Sequence, residues 1–254
     1  TSASESYIQS CISAGLKVFV YTVNRRYERD YFLNLGVSGF FTDEPLYLPG
    51  KSPVLTKDPF AEQVFTHGLI PLEADGTNVY FNRDKIAFVE PNFFGWPEVN
   101  IPRGTNHYCL QGWAGELPTA FTLTAKMKLH KSDNANFWGS IAFCTPRDFW
   151  SDNNYKNLSE GYHLLLRENG MLQLYKKPAD QMAEVLKDVQ TPQLVEGQTA
   201  ELKIEVNSTN ITITRVDTGH SFNVADRTYR RGYLHLGRRI SGILFSDIHL
   251  TRIG

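Results

Sequence analysis

The residue types best suited to holding a ligand lie in the middle of the chain. Trp138, His163, Arg167, Gln173 and Tyr175 alternate with Ile141, Leu164, Leu166, Leu172 and Leu174, so on extended strands they fall on the face turned away from a core. Carbohydrate binding asks for that mixture, flat aromatic rings for sugar faces and planar polar groups for hydroxyls. The same residues also suit a domain interface, or a scatter of exposed aromatics with no common role. Other polar groupings are less organised. Asp148, Asp152, Asn153 and Asn154 offer the oxygens that calcium prefers, but without the spacing of a known loop they read as a solvated turn. Arg227, Arg230, Arg231, Arg238 and Arg239 alternate with aromatics and suit either solvent or a phosphate-rich polymer. No metal-ligand set stands out anywhere in the chain.

These residues need strands to position them, and most of the chain reads that way. Short runs at 78–81, 85–89, 108–111, 121–129, 137–143, 161–167, 171–175, 201–206, 211–216, 233–237 and 243–251 are strand-like, separated by turn signals such as Asp75-Gly76, Asn169-Gly170 and Thr218-Gly219. Period two locates the core: Leu123, Ala125, Met127 and Leu129 point one way, Thr124, Lys126 and Lys128 the other. Leu202, Ile204 and Val206 face in likewise. Asp180 to Leu186 is the single helix-like piece. The expected fold class is mainly β, an antiparallel double sheet of jelly-roll type.

The first 45 residues differ. Lys17 to Val23 is apolar with little alternation, a strand covered on both faces. Arg25 to Leu35 carries Tyr27, Tyr31, Phe32 and Leu35 on one helical face, with Gly36 as its cap, and Val37 to Phe41 forms a second buried strand. That is a β-α-β unit, an α/β remnant ahead of the sandwich. Before it, Tyr7, Ile8, Cys11 and Ile12 have helical spacing, with Gly15 as cap, so the chain opens inside a fold. Leu46 to Phe65 is Pro-rich and aperiodic, a linker. The expected domains are 1–48, linker 49–64, and 65–254.

The first segment resembles the glycerophosphodiester phosphodiesterases, whose barrels end in a strand "G-x-x-V-x-x-W-T-V-N", a helix and "G-V-D-G-I-x-T-D-x-P". Gly15, Val18, Thr22, Val23 and Asn24, then Gly36, Val37, Gly39, Thr42, Asp43 and Pro45 match, while Tyr21 replaces Trp and Ser38 replaces Asp. The resemblance implies the last β-α-β of a TIM-like barrel, strands seven and eight, with Tyr21 and Asn24 lining its substrate end. It also implies a divalent metal (Ca or Mg) in the parent barrel, held by an early His-Arg-Gly, a Glu-x-Asp pair and a second His. Those ligands are not in this segment: no histidine precedes His67. The implied reaction is metal-assisted hydrolysis of a glycerophosphodiester, or of a teichoic-acid-like polymer, and the segment alone is expected to be inactive. Its first partner would be the upstream part of the same barrel. Alternatively Asn24 only caps the helix, Tyr21 is core, and Asp43 only fixes a turn. Residues 65–254 resemble a concanavalin A-like (lectin/glucanase-like) jelly roll, which implies a glycan or glycerophosphate polymer as second partner. A module binding carbohydrate or a receptor without catalysis, or a structural domain that buttresses or assembles, are the alternatives.

Bulk properties set limits. With a formal net charge of −1 over 254 residues and no basic tail, a nucleic-acid partner is disfavoured. No run approaches the ~20 apolar residues of a membrane span. The three cysteines, Cys11, Cys109 and Cys144, are too sparse for a disulfide framework and read as buried thiols, with Cys109–Cys144 as a pair to be bridged on export. The favoured locations are the cell exterior, the periplasm or a virion surface, any export signal lying upstream of Thr1.

Overall fold

A computed structural model describes residues 3–23, 26–42, 45, 48–49, 69–71, 87–89, 111–113, 117–132, 135–136, 138–147, 160–239 and 242–253. The chain divides into two compact units, Thr1–Lys51 and Ser52–Gly254. The expected strand at 78–81, the turn at Asp75-Gly76, the Asp148 to Asn154 loop and Cys109 lie outside the described residues, as does the linker beyond Pro49.

In the first unit α1 spans Glu5–Ser13 and α2 spans Arg26–Leu35. Ser4 caps α1 by accepting from Tyr7 N at 3.2 Å, which satisfies one of the orphan donors of the first turn. Gly15 and Gly36 close the two helices at φ of 78° and 89°, a region that side chains with a Cβ avoid. β1 (Phe19–Val20) and β2 (Gly39–Phe40) pair in parallel, Phe19 with Gly39 and Val20 with Phe40. The strands are shorter than the sequence suggests, but the ladder runs on through Ser38 N to Val18 O, Phe41 N to Val20 O and Val23 N to Phe41 O. Val18, Val20 and Phe40 are half-buried, whereas Phe19 and Phe41 on the opposite face are 54% and 62% exposed. The expectation that the first strand is covered on both faces therefore fails in this unit: one face is covered and the other is open.

The second unit is a sandwich of two antiparallel sheets. The strands are β3 (Leu69–Pro71), β4 (Ala87–Val89), β5 (Gln111–Trp113), β6 (Phe121–Lys131), β7 (Trp138–Thr145), β8 (Gly161–Arg167), β9 (Met171–Lys177), β10 (Glu184–Gln190), β11 (Thr199–Val206), β12 (Ile211–Arg215), β13 (His220–Val224), β14 (Tyr233–Arg239) and β15 (Gly242–Arg252). One sheet runs β10-β9-β8-β7-β14-β5-β3, the other β13-β12-β11-β6-β15-β4. Leu123, Met127 and Leu129 of β6, with Leu202, Ile204 and Val206 of β11, meet Ile141, Leu164, Leu166, Leu172 and Leu174 of the facing sheet in one core. Burial of this apolar surface supplies the main drive to fold.

Two expectations are corrected here. Asp180 to Leu186 is not helical: Asp180 has φ 51° and the chain enters β10 at Glu184. A register shift between Val185 and Lys187 puts two apolar residues in succession, which breaks the period of two and imitates helical spacing. Cys11 is the second, being free but half-buried where a buried thiol is expected. Cys144 is a free, buried thiol whose burial pushes its pKa up to about 12, so it is inert. Among the described residues no helix is long and apolar enough to cross a membrane.

Candidate functional site

Sheet register brings the five sandwich residues picked from sequence onto one face. Trp138 of β7 lies opposite Arg167 of β8, Ser140 opposite Leu165, and Ala142 opposite His163. His163 in turn lies opposite Tyr175 of β9, and Leu165 opposite Gln173. Their neighbours Leu164, Leu166, Leu172 and Leu174 point into the core, so this row faces away from it.

Three of the five bond to one another. Arg167 Nε donates to Gln173 Oε1 at 2.5 Å, and Arg167 Nη2 donates to Tyr175 OH at 3.3 Å. Tyr175 OH donates onward to Gln173 Oε1 at 3.3 Å. Because a guanidinium can only donate, the orientation of the Gln173 amide follows: its oxygen faces Arg167 and its nitrogen faces away. Arg167 Nη1 donates to Asn136 O at 2.5 Å, which ties the strand end to the β6–β7 connection. Trp138 and His163 are buried, at 5% and 1% exposure, whereas Arg167 and Tyr175 are half-buried. The face is therefore mostly buried, with Arg167 and Tyr175 as its partly exposed polar groups.

Sequence reasoning passed over four further members of this face. Ser140 is fully buried and its Oγ has no hydrogen-bond partner. Lys177 lies two positions beyond Tyr175 and gives its Nζ to Pro178 O at 2.9 Å. Asp188 of β10 pairs with Gln173 across the sheet edge and is exposed. His235 of β14 lies opposite Ala142, and its Nε2 bonds Thr145 Oγ1 at 2.8 Å, fastening β14 to β7. Alternation alone places Ser140, Lys177 and His235, since each sits two or four residues from a chosen residue or between two buried leucines. Asp188 is hidden by the bulge in β10.

The remaining candidates separate. Tyr21 is 82% exposed, so it is no core residue, and Asn24 and Asp43 lie outside the described residues. Arg227 Nη2 donates to Ser208 O, and Arg230 Nη1 donates to Asn207 O at 2.8 Å, so these two arginines clamp the β11–β12 turn. Side chains of Arg238 and Arg239 are not among those described. No three His, Cys, Asp or Glu side chains among the described residues converge to hold a metal, so the divalent cation implied by the barrel resemblance finds no ligand set in them.

Comparisons with known proteins divide along the same line as the fold. The Glycerophosphoryl diester phosphodiesterase family model matches residues 2–47, the helices and the parallel pair. No curated protein sequence matches the chain. Among solved structures, a legume lectin-like domain from Entamoeba histolytica is 11% identical, with a TM-score of 0.53 over 76% of this chain and 93% of its own. The carbohydrate binding module CBM66 from Bacillus subtilis is 16% identical, with a TM-score of 0.47 over 57% of this chain and 82% of its own. Sheep galectin-11, solved in complex with glycerol, is 14% identical, with a TM-score of 0.40 over 58% and 98%. The chain thus joins a segment similar to the glycerophosphodiester phosphodiesterase family to a sandwich of the concanavalin A-like, lectin-type fold.

Proposed function

We propose that this chain is the C-terminal portion of a glycerophosphodiester phosphodiesterase. In this reading residues 1–48 close a TIM-like barrel, residues 49–64 link, and residues 65–254 form an accessory domain that holds a glycan or glycerophosphate polymer near the barrel. The observation that carries it is the coincidence of the family match at 2–47 with a parallel strand pair whose second face is open. Phe19 lies over Gly39, where an added Cβ would come within 2.9 Å of its ring, and meets Phe41 at 6.4 Å between centroids. An apolar face of this kind on a two-stranded sheet is what a barrel interior leaves when its other strands are supplied elsewhere in the polypeptide.

The reaction would be hydrolysis of a phosphodiester to an alcohol and glycerol phosphate, with a divalent metal neutralising charge on the phosphoryl group when bound. Here the role of this segment is to wall the substrate end of the barrel with the Tyr21 ring and the Asn24 amide. Acid–base groups come from the rest of the barrel, and the exported location follows from a polymer substrate at a cell or virion surface. Assay of the purified chain on a glycerophosphodiester with Ca²⁺ or Mg²⁺ should show no turnover, and the longer polypeptide should hydrolyse it. Turnover by this chain alone would overturn the reading.

A second reading, a binding module without catalysis, draws on the lectin-type fold of the sandwich. Deleting the sandwich from the longer polypeptide separates the two. Loss of polymer binding with small-substrate hydrolysis intact supports the accessory role, whereas a longer polypeptide that binds polymer and hydrolyses nothing supports the module.

A further inference from the structure

The Arg167 cluster is built from donors. Arg167 has five N–H groups, of which three go to Gln173 Oε1, Asn136 O and Tyr175 OH, and no carboxylate among the described residues pairs with it. Gln173 uses its oxygen twice and keeps both Nε2 donors without a partner among the described residues. Ser140 Oγ–H, fully buried on the same face, is unpartnered too. Lys177 adds a second cation whose bond goes to a backbone carbonyl. The carboxylate in register here, Asp188, is exposed at the sheet edge and forms no ion pair with either cation.

A half-buried guanidinium with no counter-charge among the described residues, fixed by its own neighbours and bordered by donors that none of those residues takes up, is arranged to receive oxygens that carry negative charge. Neutral sugars offer hydroxyls that both donate and accept, and a site for them alone would mix donors with acceptors. The fixed geometry means that little side-chain entropy is lost on binding.

We infer that the outer face of β7, β8 and β9 selects polyhydroxylated chains bearing an oxyanion, and that Arg167, held by Gln173 and Tyr175, sets that selectivity. This rests on the reading of the sandwich as a polymer-binding domain and specifies its ligand class. The oxyanion is a phosphodiester or a uronate carboxylate, and the experiment distinguishes them.

The test titrates the whole 254-residue chain, at about 50 mM salt where surface charges are weakly screened, with three probes: a glycerol-phosphate polymer, polygalacturonate and dextran. At least one anionic polymer should bind about tenfold tighter than dextran, the effect of a charge-assisted contact. Gln173→Glu keeps the side-chain shape and gives Arg167 a carboxylate, so it should bring the ratio close to one while the melting temperature holds. Arg167→Lys should retain part of the preference. Arg227→Gln, a change of the same charge at the clamped β11–β12 turn, should leave it unchanged. Equal binding of all three polymers by the native chain, or an equal loss from Arg227→Gln, overturns the selectivity alone. Binding of none overturns it together with the polymer-binding reading.

Discussion

At the scale of single residues, charge decides more than shape. Asp226, in the connection between β13 and β14, shows the balance. Burial alone would push its carboxyl up, but hydrogen bonds from Tyr162 OH, Lys176 Nζ and Thr228 N outweigh it and hold the group well below the usual carboxylate range. Lys176 is raised by its bonds to Glu184 and Asp226. An acid with a lowered folded pKa adds stability that is present above its unfolded value of about 4 and lost as pH falls through the folded one. A base with a raised pKa adds stability that is full below its unfolded value, about 10, and is lost as pH rises through the folded one. The network therefore works from about pH 4 to 10. Asp226→Asn should lower stability near neutrality by about 1–3 kcal/mol, the worth of hydrogen bonds to a charged group. The gap between variant and native protein should narrow as pH falls below about 4, where the unfolded carboxyl takes up its proton while the folded one stays charged. A gap that stays constant from pH 7 to 2 would refute the ionic account. The same logic applied to Asp188 gives a gain: Asp188→Asn removes a negative charge beside Gln173 and should tighten anionic polymer about two- to threefold at low salt, less at 0.15 M. Unchanged binding would mean that the polymer does not reach the β9–β10 edge.

At the scale of elements, the site depends on the β8–β9 hairpin, which carries Arg167, Gln173 and Tyr175. Its turn is pinned from outside the hairpin. Thr191 N and Thr191 Oγ1 both donate to Gly170 O, and the fully buried Arg215 donates to Thr191 Oγ1 at 2.7 Å and Pro192 O at 2.5 Å. Gly170 has φ 87°, and a Cβ there would lie 2.2 Å from Thr191 O. Gly170→Ala therefore combines a strained backbone with a clash against main chain that cannot step aside, and should cost more than about 2 kcal/mol. Gly197, with φ 84° and open space around it, is the control: its alanine variant carries the strain alone, about 1 kcal/mol. Equal costs at the two positions would show that packing over the hairpin turn contributes nothing. These elements differed in how legible they were. β8 is bounded by Gly161 and by Asn169-Gly170, so turn signals mark its limits, and His163 and Arg167 on either side of the 164–166 leucine run mark the face turned from the core. β10 defeats pattern because its bulge shifts the phase, and with it the position of Asp188. β13 is five residues with one buried ring, Phe222, too short for a period to emerge. The bonding inside the site was not legible at all, since alternation gives a face but not which donor meets which acceptor.

At the scale of the whole molecule, the two units have different reasons to be stable. The sandwich buries aromatic and aliphatic side chains from both sheets in a single core. The first unit has two helices, a two-stranded pair and an open face at Phe19, Tyr21 and Phe41, so it covers less of its apolar surface. The chain should therefore unfold in two steps. Optical probes happen to separate them: the described helices lie in the first unit, whereas all four tryptophans, Trp96, Trp113, Trp138 and Trp150, lie in the second. In a urea titration the helical circular-dichroism signal should fall first, with a shallow slope, because slope scales with the surface exposed. Tryptophan fluorescence should change later and more steeply. If the proposed barrel reading holds, a polypeptide extended by the barrel strands it places upstream should have its first transition moved towards the second, because Phe19 and Phe41 would be buried against them, at about 25 cal/mol for each Å² of apolar surface covered. Two signals that fall together in the present chain would mean that both units unfold as one cooperative body. A first transition that stays in place when the upstream strands are added would mean that the parallel pair is not the closing edge of a barrel.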